Sequence, residues 1–409
     1  MPRNHSDVSV QSSSMKRRQF ITGAAAAAAT IVKPSLVWGS RANSRIKTGV
    51  IGLGGRGAWI ARHLKEHGGY EITAIADYFP EVAEKVGEEL GVPEAHRFSG
   101  LKGYRRLVET DLDAVFCETP PYCFPEHVTA AVEAGRHVFM AKPVACDVPG
   151  TLQVAAMAKK AKQNKRVVLV DFQTRTDPFY IEAIRRVHAG DIGLLGILDV
   201  VCGSNGFNDP PKTETIASRL RHLVWVNDIE LGGGHLVNYD IHAMDVALWI
   251  AGQTPIRAMG CGRKVDPAAH GNAMRAYSLT YECKDGLVIN HRAEHLPNLD
   301  GGIDCYAYGK TGVLETKYAG HVQIRSKGKP YKGGECKDLY GAGMRANVET
   351  FHKSVTQGDC SNPTVEPSIN ATLTTILGRE AALRKTMLTW DQMLKENRKL
   401  DVNLKGLRE

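Results

Sequence analysis

The stretch "KTGVIGLGGRGAWIARHLKEH", Lys47 to His67, decides the fold. A short apolar run leads into the pattern G-x-G-x-x-G and then into an amphipathic segment, which predicts a strand, a tight turn and a helix. Gly52 permits the turn, Gly54 lets a pyrophosphate approach the backbone, and Gly57 lets the helix pack on the sheet. A glycine-rich turn without a ligand is the alternative. The stretch predicts a dinucleotide-binding loop made of Gly52, Leu53, Gly54, Gly55, Arg56 and Gly57.

Short apolar runs alternate with amphipathic segments from this loop as far as Gln173. This alternation predicts a parallel sheet with helices on both faces, a doubly wound Rossmann domain over residues 45–173. Beyond it, longer runs with polar alternation turn at Asp285-Gly286 and near Thr311-Gly312. They predict an α+β domain over residues 174–409, with an open, mainly antiparallel sheet under C-terminal helices. The fold class is therefore α/β, and the second domain is expected to bind substrate and to mediate assembly.

Asp77 ends the second predicted strand, twenty positions after Gly57. A carboxylate there accepts hydrogen bonds from the adenine ribose and repels a 2′-phosphate, which favours NAD over NADP. Arg56 leaves NADP open, because a guanidinium in the glycine loop can reach a 2′-phosphate.

Two further segments carry candidate chemistry. In "GRHVFMAKPVACD", Lys142 ends a strand at the sheet edge where ligands bind, although a lysine there is also commonly a surface charge. In "LGGGHLVNYDIHAMDVALWIAG", Asn238, His242 and Asp245 share one helix face. His242 suits proton transfer, and a structural histidine paired with Asp245 is the alternative.

The segment "KRRQFITGAAAAAATIV", Lys16 to Val32, has a basic start, a short apolar run and small residues after it. This order is typical of a cleavable export signal, and Arg17-Arg18 resembles a twin-arginine signal within a leader of residues 1–40. An ordinary alanine-rich helix is the alternative. Because that route carries folded cargo, the signal implies the twin-arginine machinery as a partner, a periplasmic location and NAD bound tightly before export.

Charge and cysteine content narrow the possible functions. Half of the formal charge of +8 lies in residues 1–40, and the rest of the chain has no strong basic run, so nucleic-acid binding is not expected. The nine cysteines are scattered without a C-x-x-C pair, so neither a disulfide framework nor a metal site is expected.

Taken together, "GVIGLGGRG", Asp77, "GRHVFMAKP", "FQTRTDPFY" and "GGGHLVNYDIHAMDVALWIAG" resemble the glucose-fructose oxidoreductase and inositol dehydrogenase (Gfo/Idh/MocA) family. The resemblance covers nearly the whole chain after the leader. It implies that Lys142 is catalytic, that Thr119 and Pro120 touch the cofactor, and that Gln173 and Arg175 lie near the nicotinamide and substrate.

The chain departs from the family pattern at two positions. Ala141 stands where relatives usually carry the glutamate of Glu-Lys-Pro, and Asn238 stands where many carry an aspartate. The resemblance therefore makes His242 the base, assisted by Asp240, and places Tyr239 with His242 near the substrate.

The resemblance implies a homo-oligomeric oxidoreductase that transfers a hydride between a sugar, glycoside or cyclitol hydroxyl and a nicotinamide cofactor, and the leader predicts that it is exported. A redox glycosidase, which oxidises a sugar transiently, eliminates the aglycone, adds water and reduces again, is the first alternative. A non-enzymatic dinucleotide-binding protein is the second.

Overall fold

The computed structural model describes residues 45–297 and 301–409. The predicted leader over residues 1–40 lies outside the described residues and stays a prediction. Residues 46–409 form one compact unit. Within the described residues, no helix is both long enough and apolar enough to span a bilayer.

The first sheet is parallel throughout and has the order β3-β2-β1-β4-β5-β6. Its apolar strands are covered on both faces, as the run of fully buried residues in β4 shows. This confirms the doubly wound sheet. The short strand β3 and helix α3 were not predicted. The strands are β1 (Ile46–Ile51), β2 (Tyr70–Asp77), β3 (Arg97–Ser99), β4 (Ala114–Cys117), β5 (His137–Ala141) and β6 (Val168–Asp171). The helices between them are α1 (Gly55–His67), α2 (Pro80–Leu90), α3 (Gly103–Glu109), α4 (Phe124–Glu133) and α5 (Val148–Gln163).

The second sheet has nine strands in the order β14-β13-β12-β11-β7-β10-β9-β8-β15. Of its described neighbours, β7 and β10 run parallel and the other pairs antiparallel, which confirms the mainly antiparallel sheet. Its strands are β7 (Leu195–Ser204), β8 (Pro255–Arg263), β9 (Ala276–Cys283), β10 (Val288–His295), β11 (Gly302–Gly309), β12 (Gly312–Lys317), β13 (His321–Ser326), β14 (Tyr331–Glu335) and β15 (Leu388–Thr389).

The hairpin between β9 and β10 has a longer loop than the predicted two-residue turn. Cys283 N donates to Leu287 O across three loop residues, and Gly286 supplies the left-handed conformation at φ +87°. The hairpin itself is confirmed.

The remaining helices are α6 (Pro178–His188), α7 (Ile229–Gly232), α8 (Gly234–Asn238), α9 (Ile241–Ala251), α10 (Leu339–Gln357), α11 (Val365–Arg384) and α12 (Trp390–Glu396). Helix α11 shares the large apolar core of the second sheet, as predicted. Helix α10 packs on the first sheet instead, with Phe351 edge-on to Phe116 and Phe139 at 5.4 and 5.7 Å. The expectation that both late helices cover the second sheet is wrong for α10, because its apolar face, Met344, Val348 and Phe351, completes the core of the first.

Candidate active site

The glycine loop is tightly packed on one side and open on the other. Gly52 has φ +88°, and a Cβ there would lie 2.8 Å from the backbone of residues 118 and 119. A Cβ on Gly57 would lie 1.8 Å from Gly52 O, so the helix approaches the strand as closely as glycine allows. Cβ atoms on Gly54 and Gly55 would meet no described atom within 4 Å. This open backbone at the start of α1 fits a dinucleotide pyrophosphate.

Asp77, at the end of β2, contacts the glycine loop through its carboxylate. Its carboxylate accepts hydrogen bonds from the backbone N of Leu53 at 2.7 Å and of Phe79 at 2.9 Å. Burial raises the pKa of Asp77, and these two donors oppose the rise. The carboxylate is thus held at the end of β2 beside the loop, where the ribose contact was predicted.

Arg56 turns from the loop toward the ends of β4 and β6. Its guanidinium pairs with Asp171 and, at 3.1 Å, with Glu118, and it lies 4.8 Å from the ring of Tyr340. Burial lowers the pKa of Arg56, but Asp171 and Glu118 outweigh burial and hold it above its usual value. The guanidinium of Arg56 therefore lies at the carboxyl edge of the first sheet, paired with the two carboxylates.

Glu118 and Asp171 are residues whose place in the site was not predicted. Ala141 pairs with Asp171 in the register of β5 and β6, and Glu118 follows β4, the strand on the other side of β5. Burial raises the pKa of Glu118 to about 7, while Arg56 acts to lower it. Carboxylates on both neighbouring strands thus flank the alanine that replaces the family glutamate. The available sequence signal was the position of Glu118, directly before the predicted cofactor residues Thr119 and Pro120.

Lys142 follows β5 directly and enters this charged edge. Its Nζ donates a hydrogen bond of 2.7 Å to the backbone O of Asn238, which ties the first sheet to the turn between α8 and α9. Burial lowers the pKa of Lys142 to about 7; Arg56 lowers it further, and Asp171 and Glu118 raise it. A lysine poised near neutral pH can donate or accept a proton.

His242 lies at the start of α9 and faces the same region. Its ring is edge-on to Phe172 at 6.0 Å and lies 5.0 Å from Tyr318, whose hydroxyl donates to Gln173 Oε1 at 3.0 Å. Within the described residues, Nδ1 of His242 has no hydrogen-bond partner. Burial, then Lys142 and Arg56, hold the pKa of His242 well below its usual range. A neutral imidazole is a proton acceptor, and the hydrogen bond from Lys142 to Asn238 O brings the lysine to the turn that leads into His242.

Asp245 and Arg175 pair with each other. Arg175 donates two hydrogen bonds of 2.8 Å to the carboxylate of Asp245 and lies 4.8 Å from the ring of Trp249. A pairing of His242 with Asp245 is therefore not observed. Arg175 also lines an open cleft of about 600 Å³ whose lining includes neither Lys142 nor His242, and its place beside the substrate stays a prediction.

Asp240 points into the second sheet. Its fully buried carboxylate lies 3.2 Å from Nε2 of His291 and 3.0 Å from Nε2 of His295, both on β10. Tyr239 donates to Gly203 O at 3.3 Å. Asp240 acts on His242 as a nearby charge that raises its pKa, so the structure does not support direct assistance by Asp240 in proton transfer.

The other predicted cofactor residues follow β4. Thr119 Oγ1 lies 3.1 Å from Nδ1 of the buried His127, and Pro120 leads into a short helix. Both stand at the carboxyl edge next to the glycine loop, since Gly52 packs against Thr119. The complete edge can bind a dinucleotide and offers a neutral imidazole beside a lysine for proton transfer at a substrate oxygen.

The chain is similar to known oxidoreductases. Residues 46–172 match the model of the Gfo/Idh/MocA oxidoreductase family, NAD-binding Rossmann fold. Inositol 2-dehydrogenase 3 of Saccharopolyspora erythraea is 34% identical over 80% of this chain and 90% of that enzyme. An NAD(+)-dependent scyllo-inositol 2-dehydrogenase of Bacillus subtilis is 27% identical over 54% of this chain and 58% of that enzyme. The structure of scyllo-inositol dehydrogenase from Lactobacillus casei with NAD(H) and scyllo-inositol shares the fold, with a TM-score of 0.66 and 18% identity over 85% of this chain and 99% of that one.

Proposed function

The chain belongs to the Gfo/Idh/MocA family of oxidoreductases, and on that premise we propose that it is an NAD-dependent dehydrogenase that oxidises a hydroxyl of a sugar, glycoside or cyclitol. The observation that carries the proposal is the hydrogen bond from Lys142 to Asn238 O, which brings the lysine to the turn that leads into His242, at the sheet edge that also carries the open glycine loop. The inositol substrates of the relatives support a polyol as the substrate class.

The bound dinucleotide supplies the hydride acceptor. Gly54 and Gly55 leave room for its pyrophosphate, and Asp77 is placed to accept hydrogen bonds from its ribose. Arg56 is already paired with Asp171 and Glu118, so it is poorly placed to bind a 2′-phosphate. These contacts support NAD as the cofactor.

Proton transfer falls to the two residues at the edge. His242 is neutral at pH 7 and accepts the proton of the substrate hydroxyl. Lys142, in its charged form, donates a hydrogen bond to the same oxygen and stabilises the negative charge that develops there. The side chain of Asn238 holds a neighbouring hydroxyl of the polyol. Lys142 is aligned by the carbonyl of this same residue.

We further propose that the chain is exported in folded form with NAD already bound. The twin-arginine motif of the leader supports export, and export to a compartment without a free NAD pool favours a tightly held cofactor that a second substrate reoxidises. Denaturing protein from the exported fraction should release NAD(H). Empty protein that binds NAD only weakly would contradict tight binding while leaving the dehydrogenase activity open.

The activity is tested with a panel of inositols, aldoses and glycosides in the presence of NAD, followed both by NADH absorbance and by chromatography of the sugar. A ketone that accumulates with an equal amount of NADH supports the dehydrogenase. A glycoside cleaved without net NADH identifies the redox glycosidase instead. If wild type and Lys142→Met both bind the cofactor and neither turns over any polyol, the result supports the non-enzymatic alternative.

A further inference from the structure

A second polar cluster lies behind the turn that carries Asn238 and His242. It consists of Cys202, Asp240 and His291, whose ligand atoms all lie within 4.8 Å of one another. None of the three side chains is more than 1% exposed. A carboxylate is seldom fully buried unless it is paired with an opposite charge or coordinates a metal.

Three separate elements build this cluster. Strands β7 and β10 are parallel neighbours, with Cys202 opposite Ala293. His291 lies two residues before Ala293, so both chemical groups project from the same buried face of the second sheet. Asp240 reaches that face from the turn between α8 and α9. The sequence gives no ligand spacing for such a site, because its members are far apart in the chain.

The contacts inside the cluster are close, but they depart from ordinary hydrogen-bond geometry. Among the described residues, neither ring nitrogen of His291 and neither carboxylate oxygen of Asp240 has a partner in hydrogen-bond geometry. The atoms are nevertheless close, since Nε2 of His291 lies 3.2 Å from Oδ2 of Asp240. Tetrahedral ligands about 2.1 Å from a zinc ion lie about 3.4 Å apart, so this separation suits two ligands of one ion.

We propose that Cys202, Asp240 and His291 bind one divalent transition-metal cation of the zinc class. Thiolate, imidazole and carboxylate are the ligands that zinc takes in proteins. This departs from the expectation of a chain without a metal site.

His295 contacts the other oxygen of the proposed ligating carboxylate of Asp240. Its Nε2 lies 3.0 Å from Oδ1 of Asp240, and Ser204 Oγ lies 2.7 Å from its Nδ1. Such an outer contact fixes the orientation of a ligand and its ring partner. The arrangement leaves Oδ2 of Asp240 for the metal.

The metal has a positioning role. Asp240 lies between Asn238, whose carbonyl accepts from Lys142, and His242. An ion bound to Asp240 links this turn to β7 and β10 and so fixes the positions of Asn238 and His242 in the candidate active site. Because the cluster is fully buried, the ion does not touch the substrate.

The first measurement is the metal content of the full chain, purified without a polyhistidine tag and dialysed against metal-free buffer. We expect close to one equivalent of zinc or a similar cation per chain. Protein stripped with a chelator should take up one equivalent of Co²⁺, with a thiolate-to-cobalt absorption band, and should gain thermal stability. Less than about a tenth of an equivalent, together with no stoichiometric uptake of Zn²⁺ or Co²⁺, would overturn the proposal.

Variants locate the ion. Cys202→Ser and His291→Gln should each weaken Zn²⁺ binding at least 10-fold, since outer contacts alone are worth that much. The matched control is Cys305→Ser, which removes a buried thiol from the adjacent strand β11 and should keep the metal. Zinc retained by all three variants, or cobalt bound without a thiolate band, would place the ion elsewhere and refute this site. If Cys202→Ser does not fold, the cobalt spectra of the wild type and of Cys305→Ser still decide the question.

Discussion

Replacing Lys142 with methionine should lower activity while raising stability at acidic pH. Burial and neighbouring charge lower the pKa of Lys142 from 10.5 to about 7. That fall corresponds to about 5 kcal/mol by which the fold disfavours the charged lysine. The variant also loses the hydrogen bond to Asn238 O, worth about 1.5–3 kcal/mol. We therefore expect a net gain in unfolding free energy of about 2 kcal/mol at pH 6.

The sign of the pH dependence follows from the two states of the chain. The unfolded lysine holds its proton up to about pH 10.5 and the folded one only to about 7, so wild-type stability rises as pH increases between these values. The methionine variant lacks this rise, and its advantage of about 2 kcal/mol should vanish near pH 8.5, because wild-type stability rises by about 1.4 kcal/mol per pH unit above 7. Urea unfolding at pH 6, 7.5 and 9, with matched cofactor content, measures the difference. Parallel stability curves for the two proteins would show that Lys142 titrates normally and would refute the reasoning.

Turnover gives the second readout of the same residue. Lys142→Met should cut kcat by about 10²–10⁴, as expected for a lost acid–base group, with NAD affinity little changed. If Lys142 acts as the charged donor, wild-type kcat/KM for oxidation should fall as pH rises through about 7. Lys142→Arg keeps the charge and should remove that fall. A rate that rises through pH 7 would identify neutral Lys142 as the base and exclude that role for His242.

Three further substitutions test other assignments. Asp77→Ser should raise the affinity for NADP relative to NAD about 10-fold or more in calorimetric titrations, since a charged acceptor and its repulsion of phosphate are both lost; an unchanged ratio would show that another group reads the ribose. Arg175→Lys should lower the unfolding free energy by about 2–3 kcal/mol and leave KM nearly unchanged, because it breaks the two-pronged contact with buried Asp245; a large rise in KM with normal stability would return Arg175 to the substrate. Replacement of Arg17-Arg18 by Lys-Lys should retain the chain in the cytoplasm, as cell fractionation would show, and normal export would mean that the leader is misassigned.

Local pattern was enough to predict the framework of the first sheet. The end of the second strand at Asp77 and the alternation of strands and helices were predicted, because apolar runs and amphipathic segments have a clear hydrophobic period. The strand β3 is three residues long and too short to show a period. The packing of α10 on the first sheet was also not predicted, because an apolar helix face does not show which of two sheets it will pack against.

By itself, the sequence predicted the parallel sheet, the dinucleotide loop and the candidate lysine and histidine, because each depends on residues adjacent in the chain or spaced at a helical or strand period. Only the tertiary structure decided the partners. Lys142 donates a hydrogen bond to the carbonyl of Asn238, 96 positions later in the chain. Arg175 pairs with Asp245, 70 positions later, and Arg56 pairs with Asp171, 115 positions later. Such contacts depend on how strands from distant segments of the chain align. A charged side chain can pair with any suitable group that folding brings within reach, so its partner cannot be read from the neighbouring sequence. The same holds for Asp240, which lies two residues from His242 but faces the opposite sheet with Cys202 and His291.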